Sequence, residues 1–184
     1  MICIGASSAN AATYTRMINP LTTVTIYVND VGQVAAGKRA TSSGLWRSRN
    51  ASCAVKYWDD PWHKILDYQY TVHKHWDYNL VKNRVRNAVT STDPWISALI
   101  RSTGGWSEEF APMDYYYSRN GTSNMDAHYS ERHAKFHCII GIKGFSIPVG
   151  TWTVNVWFRV FAKNRLGSNQ NWRVDVTQKW RYGS

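Results

Sequence analysis

The sequence predicts an all-β fold, mainly antiparallel, arranged as a two-layer β-sandwich or jelly roll with one short helix. Three observations lead there. The last third reads as a hairpin, with Gly150–Ala162 (GTWTVNVWFRVFA) and Asn171–Tyr182 (NWRVDVTQKWRY) flanking a polar turn, Lys163–Gln170. In its second arm Trp172, Val174, Val176, Trp180 and Tyr182 share one face, while Arg173, Asp175, Thr177, Lys179 and Arg181 share the other. That period of two puts one face in a core and one in water, studded with cations. Further strand-length runs rich in β-branched and aromatic residues recur along the chain, and only one stretch carries a helix-start signature.

Taken in order, Leu21–Val28 (LTTVTIYV) is a strand ending at the Asn29-Asp30 turn signal. Gly32–Asn50, rich in Gly, Ser and basic residues, reads as a long loop or a loosely paired strand. Ser52–Trp58 is a strand that Asp59-Asp60-Pro61 breaks. Ile65–Trp76 alternates, with Leu66, Tyr68, Tyr70, Val72 and Trp76 on one face and Asp67, Gln69, Thr71, His73 and His75 on the other. Asp77–Thr92 fits both a helical stripe (Leu80, Val81, Val85, Val89) and a bent strand. Thr92–Gly105 is the helix candidate: Asp93 suits an N-cap, Pro94 the first helical position, and Gly104-Gly105 a stop. Trp106–Asn124 is aromatic and turn-rich. Met125–Lys143 returns to β structure with Ala134, Phe136, Cys138, Ile140 and Ile142 inward, and Pro148-Val149-Gly150 is expected to turn the chain into the final hairpin.

At 184 residues, 43% hydrophobic, the chain suits one domain with a sizeable core. Met1–Tyr14 reads as a signal-like or extended segment and Thr15–Ser184 as a single β-sandwich domain. The start contains Ser8-Ala9-Asn10-Ala11, an A-x-A ending after small residues that resembles the tail of a secretory signal. Two sequons, Asn50-Ala51-Ser52 and Asn120-Gly121-Thr122, agree with an extracellular setting. Cys53 and Cys138 each share a face with apolar neighbours, so a cross-sheet disulfide is expected, closing a loop long enough to stabilise by roughly 4 kcal/mol. No apolar run approaches the ~20 residues of a transmembrane helix.

The net charge is +10, yet the 22 Lys and Arg never form a run of three. A basic packaging arm is therefore absent from this sequence, while an anionic surface remains a natural partner. No H-E-x-x-H, C-x-x-C, G-x-S-x-G, P-loop or dinucleotide fingerprint appears, so neither catalysis nor a cofactor is expected. His73 with His75, and His133 with His137, form same-face pairs that could join in a metal site only on neighbouring strands; otherwise they are partly exposed imidazoles on a wet face.

The binding toolkit is aromatic. Ten Trp and eleven Tyr stand against five Phe. Trp106, Tyr115, Tyr116, Tyr117, Arg119 and Asn120 fall in one segment, and Trp58 and Trp62 flank the Asp59–Pro61 turn. Flat rings stack on sugars, and amides and charges bond their substituents. The expectation is a secreted β-sandwich binding protein acting on cell-envelope or carbohydrate surfaces: lectin-like, adhesin or antimicrobial. The alternative is a self-assembling subunit, such as a viral capsid-type jelly roll, with nucleic acid as partner, or an extracellular filament protein; a homo-oligomer fits either.

Overall fold

The computed structural model describes residues 11–33, 46–58, 66–97, 105–108, 111–119, 121, 125–142, 145–163 and 171–182. They form two antiparallel sheets packed face to face. The first is a meander of five consecutive strands, β1 (Ala11–Asn19), β2 (Thr22–Gln33), β3 (Arg47–Trp58), β4 (Leu66–Asn79) and β5 (Arg84–Ile96). The second has the order β10 (Trp172–Tyr182), β9 (Phe145–Phe161), β8 (Ala127–Ile142), and then two short strands side by side along one edge of β8: β6 (Gly105–Glu108) and β7 (Met113–Tyr117). This is the expected all-β sandwich.

Alternation makes the core. Val24 and Val28 of β2, Cys53 and Val55 of β3, and Tyr68, Tyr70, Val72 and Trp76 of β4 face Ala134 and Phe136 of β8 and Trp152, Val154, Val156 and Phe158 of β9, all buried. One end of the sandwich is an aromatic stack. Tyr57 lies parallel to Trp180 at 5.2 Å, and Tyr68, Phe136 and Trp152 meet with ring centroids 5.2–6.1 Å apart. Each such ring removes about 150–250 Å² from water, roughly 4–6 kcal/mol of transfer free energy.

Four expectations change. The helix over Thr92–Gly105 is not formed where the chain is described: Thr92–Ile96 completes β5, with Asp93 opposite Thr71 and Pro94 opposite Tyr70. An edge strand tolerates a proline whose missing N–H would face outward, and pairing with β4 overrides the local capping signature. No helix occurs among the described residues; 98–104 lie outside them. Asp77–Thr92 is neither a helix nor one bent strand but a hairpin. Asn79 Oδ1 accepts the Val81 and Lys82 N–H groups at 3.0 and 2.8 Å, Asn83 takes φ 50°, and Leu80 and Val81 sit exposed in the turn. Asparagine tolerates that left-handed region and bonds its own backbone two residues on. A bulge follows opposite Trp76, where Asn87 adopts φ 49° and donates to Asp77 Oδ2 at 2.8 Å.

Pro148-Val149-Gly150 is not a turn. It lies inside β9, at a bulge between Cys138 and Ile139 of β8, and pairing continues to Ile142↔Phe145. The expected Cys53–Cys138 disulfide is overturned as well: Cys53 is a free, buried thiol. Its neighbour Val72 lies between Tyr70, whose ring meets Phe136, and Lys74, which reaches Ser130. Cys138 lies on β8 opposite Gly150, in the other sheet. Burial pushes the Cys53 thiol up to about 12, against the nearby Arg16 charge that lowers it. Elsewhere β3 begins at Arg47, inside the stretch read as a long loop or a loosely paired strand, and Ala11–Tyr14 of the signal-like segment forms the start of β1.

Candidate functional site

The outer face of the second sheet is built in rows, because directly opposed residues on antiparallel strands project to the same side. From one end they run Tyr115–Tyr129–Arg159–Arg173, then Glu131–Trp157–Asp175, His133–Asn155–Thr177, Lys135–Thr153–Lys179 and His137–Thr151–Arg181. The last three rows hold a shallow depression of about 460 Å³ lined by Lys135, Thr151, Thr153, Asn155, Thr177, Gln178, Lys179 and Arg181. Three cations surround three hydroxyls and two amides, and among the described residues lining it there is no carboxylate.

Among the described residues the face carries two carboxylates, Asp175 and Glu131, both outside the depression and both committed. Burial raises Asp175, but bonds from Arg173 and Arg159 outweigh it and hold the carboxyl below its ordinary range. Burial likewise raises Glu131, and hydrogen bonds from Tyr129, Trp157 and His133 outweigh it in the same direction. His133 sits between Asn155 Oδ1, 2.6 Å from its Nδ1, and Glu131 Oε1, 2.5 Å from its Nε2. The uncompensated charge of the face therefore concentrates on Lys135, Lys179 and Arg181, where it attracts anions.

The aromatic residues expected to form one cluster are spread out. Trp106 pairs with Phe136 and Tyr115 with Tyr129, seven residues apart along β8, about 23 Å. Tyr115 is exposed, its ring 5.0 Å from Tyr129 and 5.8 Å from that of half-buried Tyr117. Tyr116 turns inward: its ring packs edge-on against His128 at 4.6 Å and its hydroxyl accepts the Ala88 N–H at 2.8 Å. Arg119 braces the fold, donating to the Lys163 carbonyl at 3.1 Å and covering the Phe161 ring, while its backbone N–H donates to Asp126. Trp58 ends β3 and donates to Thr23 Oγ1 at 3.2 Å. Trp62, Asn120 and the side chain of Trp106 lie outside the described residues.

The two histidine pairs are not on neighbouring strands. His73 and His75 project from the outer face of the first sheet, and His133 and His137 from that of the second. The sandwich separates the pairs, and no cluster of three ligating side chains occurs among the described residues.

Sequence reasoning caught the β10 cations but missed Lys135, Thr151, Thr153, Asn155 and Trp157. Their signal was present in the out-of-phase positions of GTWTVNVWFRV. It also missed Lys74, which occupies an inward position between Val72 and Trp76 with its side chain wholly buried. Its Nζ donates to Thr90 Oγ1 at 2.6 Å and Ser130 Oγ at 3.1 Å and lies 2.8 Å from His128 Nδ1. Asp114 is 3.8 Å away and pairs with Arg132, which also donates to the Thr90 and Met113 carbonyls. This network, buried at Lys74 and open to solvent at Asp114, ties β4, β5, β7 and β8 together. Desolvation lowers Lys74 to about 7, with Asp114 acting oppositely, and lowers His128 to about 4, assisted by the Lys74 charge.

No protein-family model matches the chain. No curated protein and no solved structure matches it either, so the geometry alone carries the functional reading.

Proposed function

We propose that this protein is an extracellular binding module that grips acidic carbohydrate of the cell envelope across the outer face of its second sheet. The depression ringed by Lys135, Lys179 and Arg181 carries the reading. A carboxylated or sulfated polysaccharide matches it: cations meet the acidic groups, while Thr151, Thr153, Thr177 and Asn155 offer bonds to hydroxyls. The exposed Tyr115 ring, packed on half-buried Tyr129 farther along the same face, provides a flat surface for sugar stacking. The signal-like start and the exposed Asn50 of the Asn50-Ala51-Ser52 sequon support the extracellular setting. The free Cys53 thiol removes the disulfide from that argument. Binding, and no covalent step, is the proposed activity.

The test is retention on immobilised dextran sulfate against neutral dextran, with Lys135→Glu, Lys179→Glu and Arg181→Glu combined in one variant. The parent should be retained on the sulfated matrix and released by salt, since each displaced counterion steepens the salt dependence. The variant should elute with the neutral control and keep its far-ultraviolet spectrum. Equal retention of a folded variant sinks the proposal.

A further inference from the structure

β1 is an edge of the first sheet, and of its nine residues only Ala12 and Asn19 are even half-buried. Tyr14 lies opposite Ile26 and Arg16 opposite Val24, which places both on the inner face of their sheet. Thr13, Thr15 and Met17 share the outer face with Tyr27, Thr25 and Thr23. Inward-facing Tyr14 is nevertheless 46% exposed, its ring 5.6 Å from that of Trp172 on the second sheet, and outward-facing Met17 is 60% exposed.

Open strand edges invite pairing unless short length, cations, proline, bulges or a covering element protect them. The other edge strands, β10, β5, β6 and β7, each have such protection. β10 carries Arg173, Lys179 and Arg181. β5 carries Arg84, Arg86, Pro94 and the Asn87 bulge, and its Val85 and Ala88 N–H groups already donate to Met125 and Tyr116. β6 and β7 are four and five residues long. In β1 the irregularity falls between Met17 and Asn19, leaving Thr13–Met17 regular with Arg16 its one charge.

We propose that β1 pairs antiparallel with β1 of a second copy of this chain, about a two-fold axis at Thr15. That register sets Tyr14 against Arg16 of the other copy, a cation–π pair, and Thr13 against Met17. A register centred on Arg16 would oppose two like charges across the axis, which disfavours it. The contact is isologous and closes as a dimer, not a filament. It rests on the edge alone and is independent of the ligand reading; it leaves the outer faces of both second sheets open, so the pair is bivalent toward a repeating ligand.

Light scattering coupled to size exclusion, over a dilution series of the full chain, tests it. The mass should approach twice the 21.1 kDa of one chain at high concentration. Thr15→Cys should form an interchain disulfide on oxidation, mapped by peptide mass to the substituted position in both chains, whereas Thr23→Cys on β2 should not. Thr15→Lys, which sets two ammonium groups on the axis, should return the protein to a monomer with an unchanged circular dichroism spectrum. A single-chain mass at every concentration overturns the proposal. So does a dimer that survives Thr15→Lys and fails to cross-link through Thr15→Cys.

Discussion

Lys74 Nζ and His128 Nδ1 lie 2.8 Å apart inside the sandwich, so two basic groups share one buried site. Both are held below their ordinary values by desolvation, Lys74 at about 7 and His128 at about 4. The folded state therefore binds fewer protons than the unfolded chain between pH 4 and 6.5, through His128, and between pH 7 and 10.5, through Lys74. Stability from these groups rises with pH in both windows. Urea unfolding between pH 7 and 9 should show a rising midpoint in the parent and a flatter one in Lys74→Met. A parallel rise in both proteins would assign the slope to other groups.

Tyr116 joins the sheets through a single atom. Its hydroxyl accepts the Ala88 N–H beside the Asn87 bulge. Tyr116→Phe keeps the ring on His128 and strands that N–H, which should cost about 1–3 kcal/mol in denaturant unfolding. Tyr115→Phe, on the exposed ring, should change stability by less than about 0.5 kcal/mol.

Gly150 permits a close approach between neighbouring strands. A Cβ there would lie 2.2 Å from the Arg181 carbonyl oxygen and 3.2 Å from the Trp180 ring. The oxygen belongs to backbone and cannot rotate away, so Gly150→Ala should destabilise by about 1–3 kcal/mol or more. Heteronuclear spectra should show shifts along β10 around Trp180 and Arg181. Wild-type stability in that variant would mean the strands are spaced more widely than described.

Cys53 should resist modification. Native protein mixed with a maleimide should remain unlabelled at Cys53, while protein in urea without reductant should label fully, because the residue is buried and free. Peptide mass mapping reads both states. Failure to label in urea would restore the disulfide.

The architecture was legible wherever one period held throughout a strand. β10 and the first arm of its hairpin were visible because each contributes one wet and one dry face. Elements decided by partners were not legible. Asp93-Pro94 carries a helix start, and only β4 lying alongside makes it strand. Pro148-Val149-Gly150 carries a turn, and only β8 pairing across it makes it a bulge. The depression was half legible for a related reason: Lys179 and Arg181 show in the β10 alternation, but their juxtaposition with Lys135 depends on register across three strands. Lys74 was hidden because an inward ammonium violates the pattern, and the groups that accept it arrive from three other strands.

The first sheet joins strands adjacent in sequence, so its hairpins can zip without closing long loops, whereas β4 and β8 meet across more than fifty residues. Local pairing precedes distant pairing when chain entropy sets the order. The ammonium of Lys74 then stays hydrated while its own sheet assembles and loses its water only as β7 and β8 dock. Its dehydration belongs to the late side of the folding barrier. Substitutions there should alter how fast the native protein comes apart, and leave nearly untouched how fast it forms.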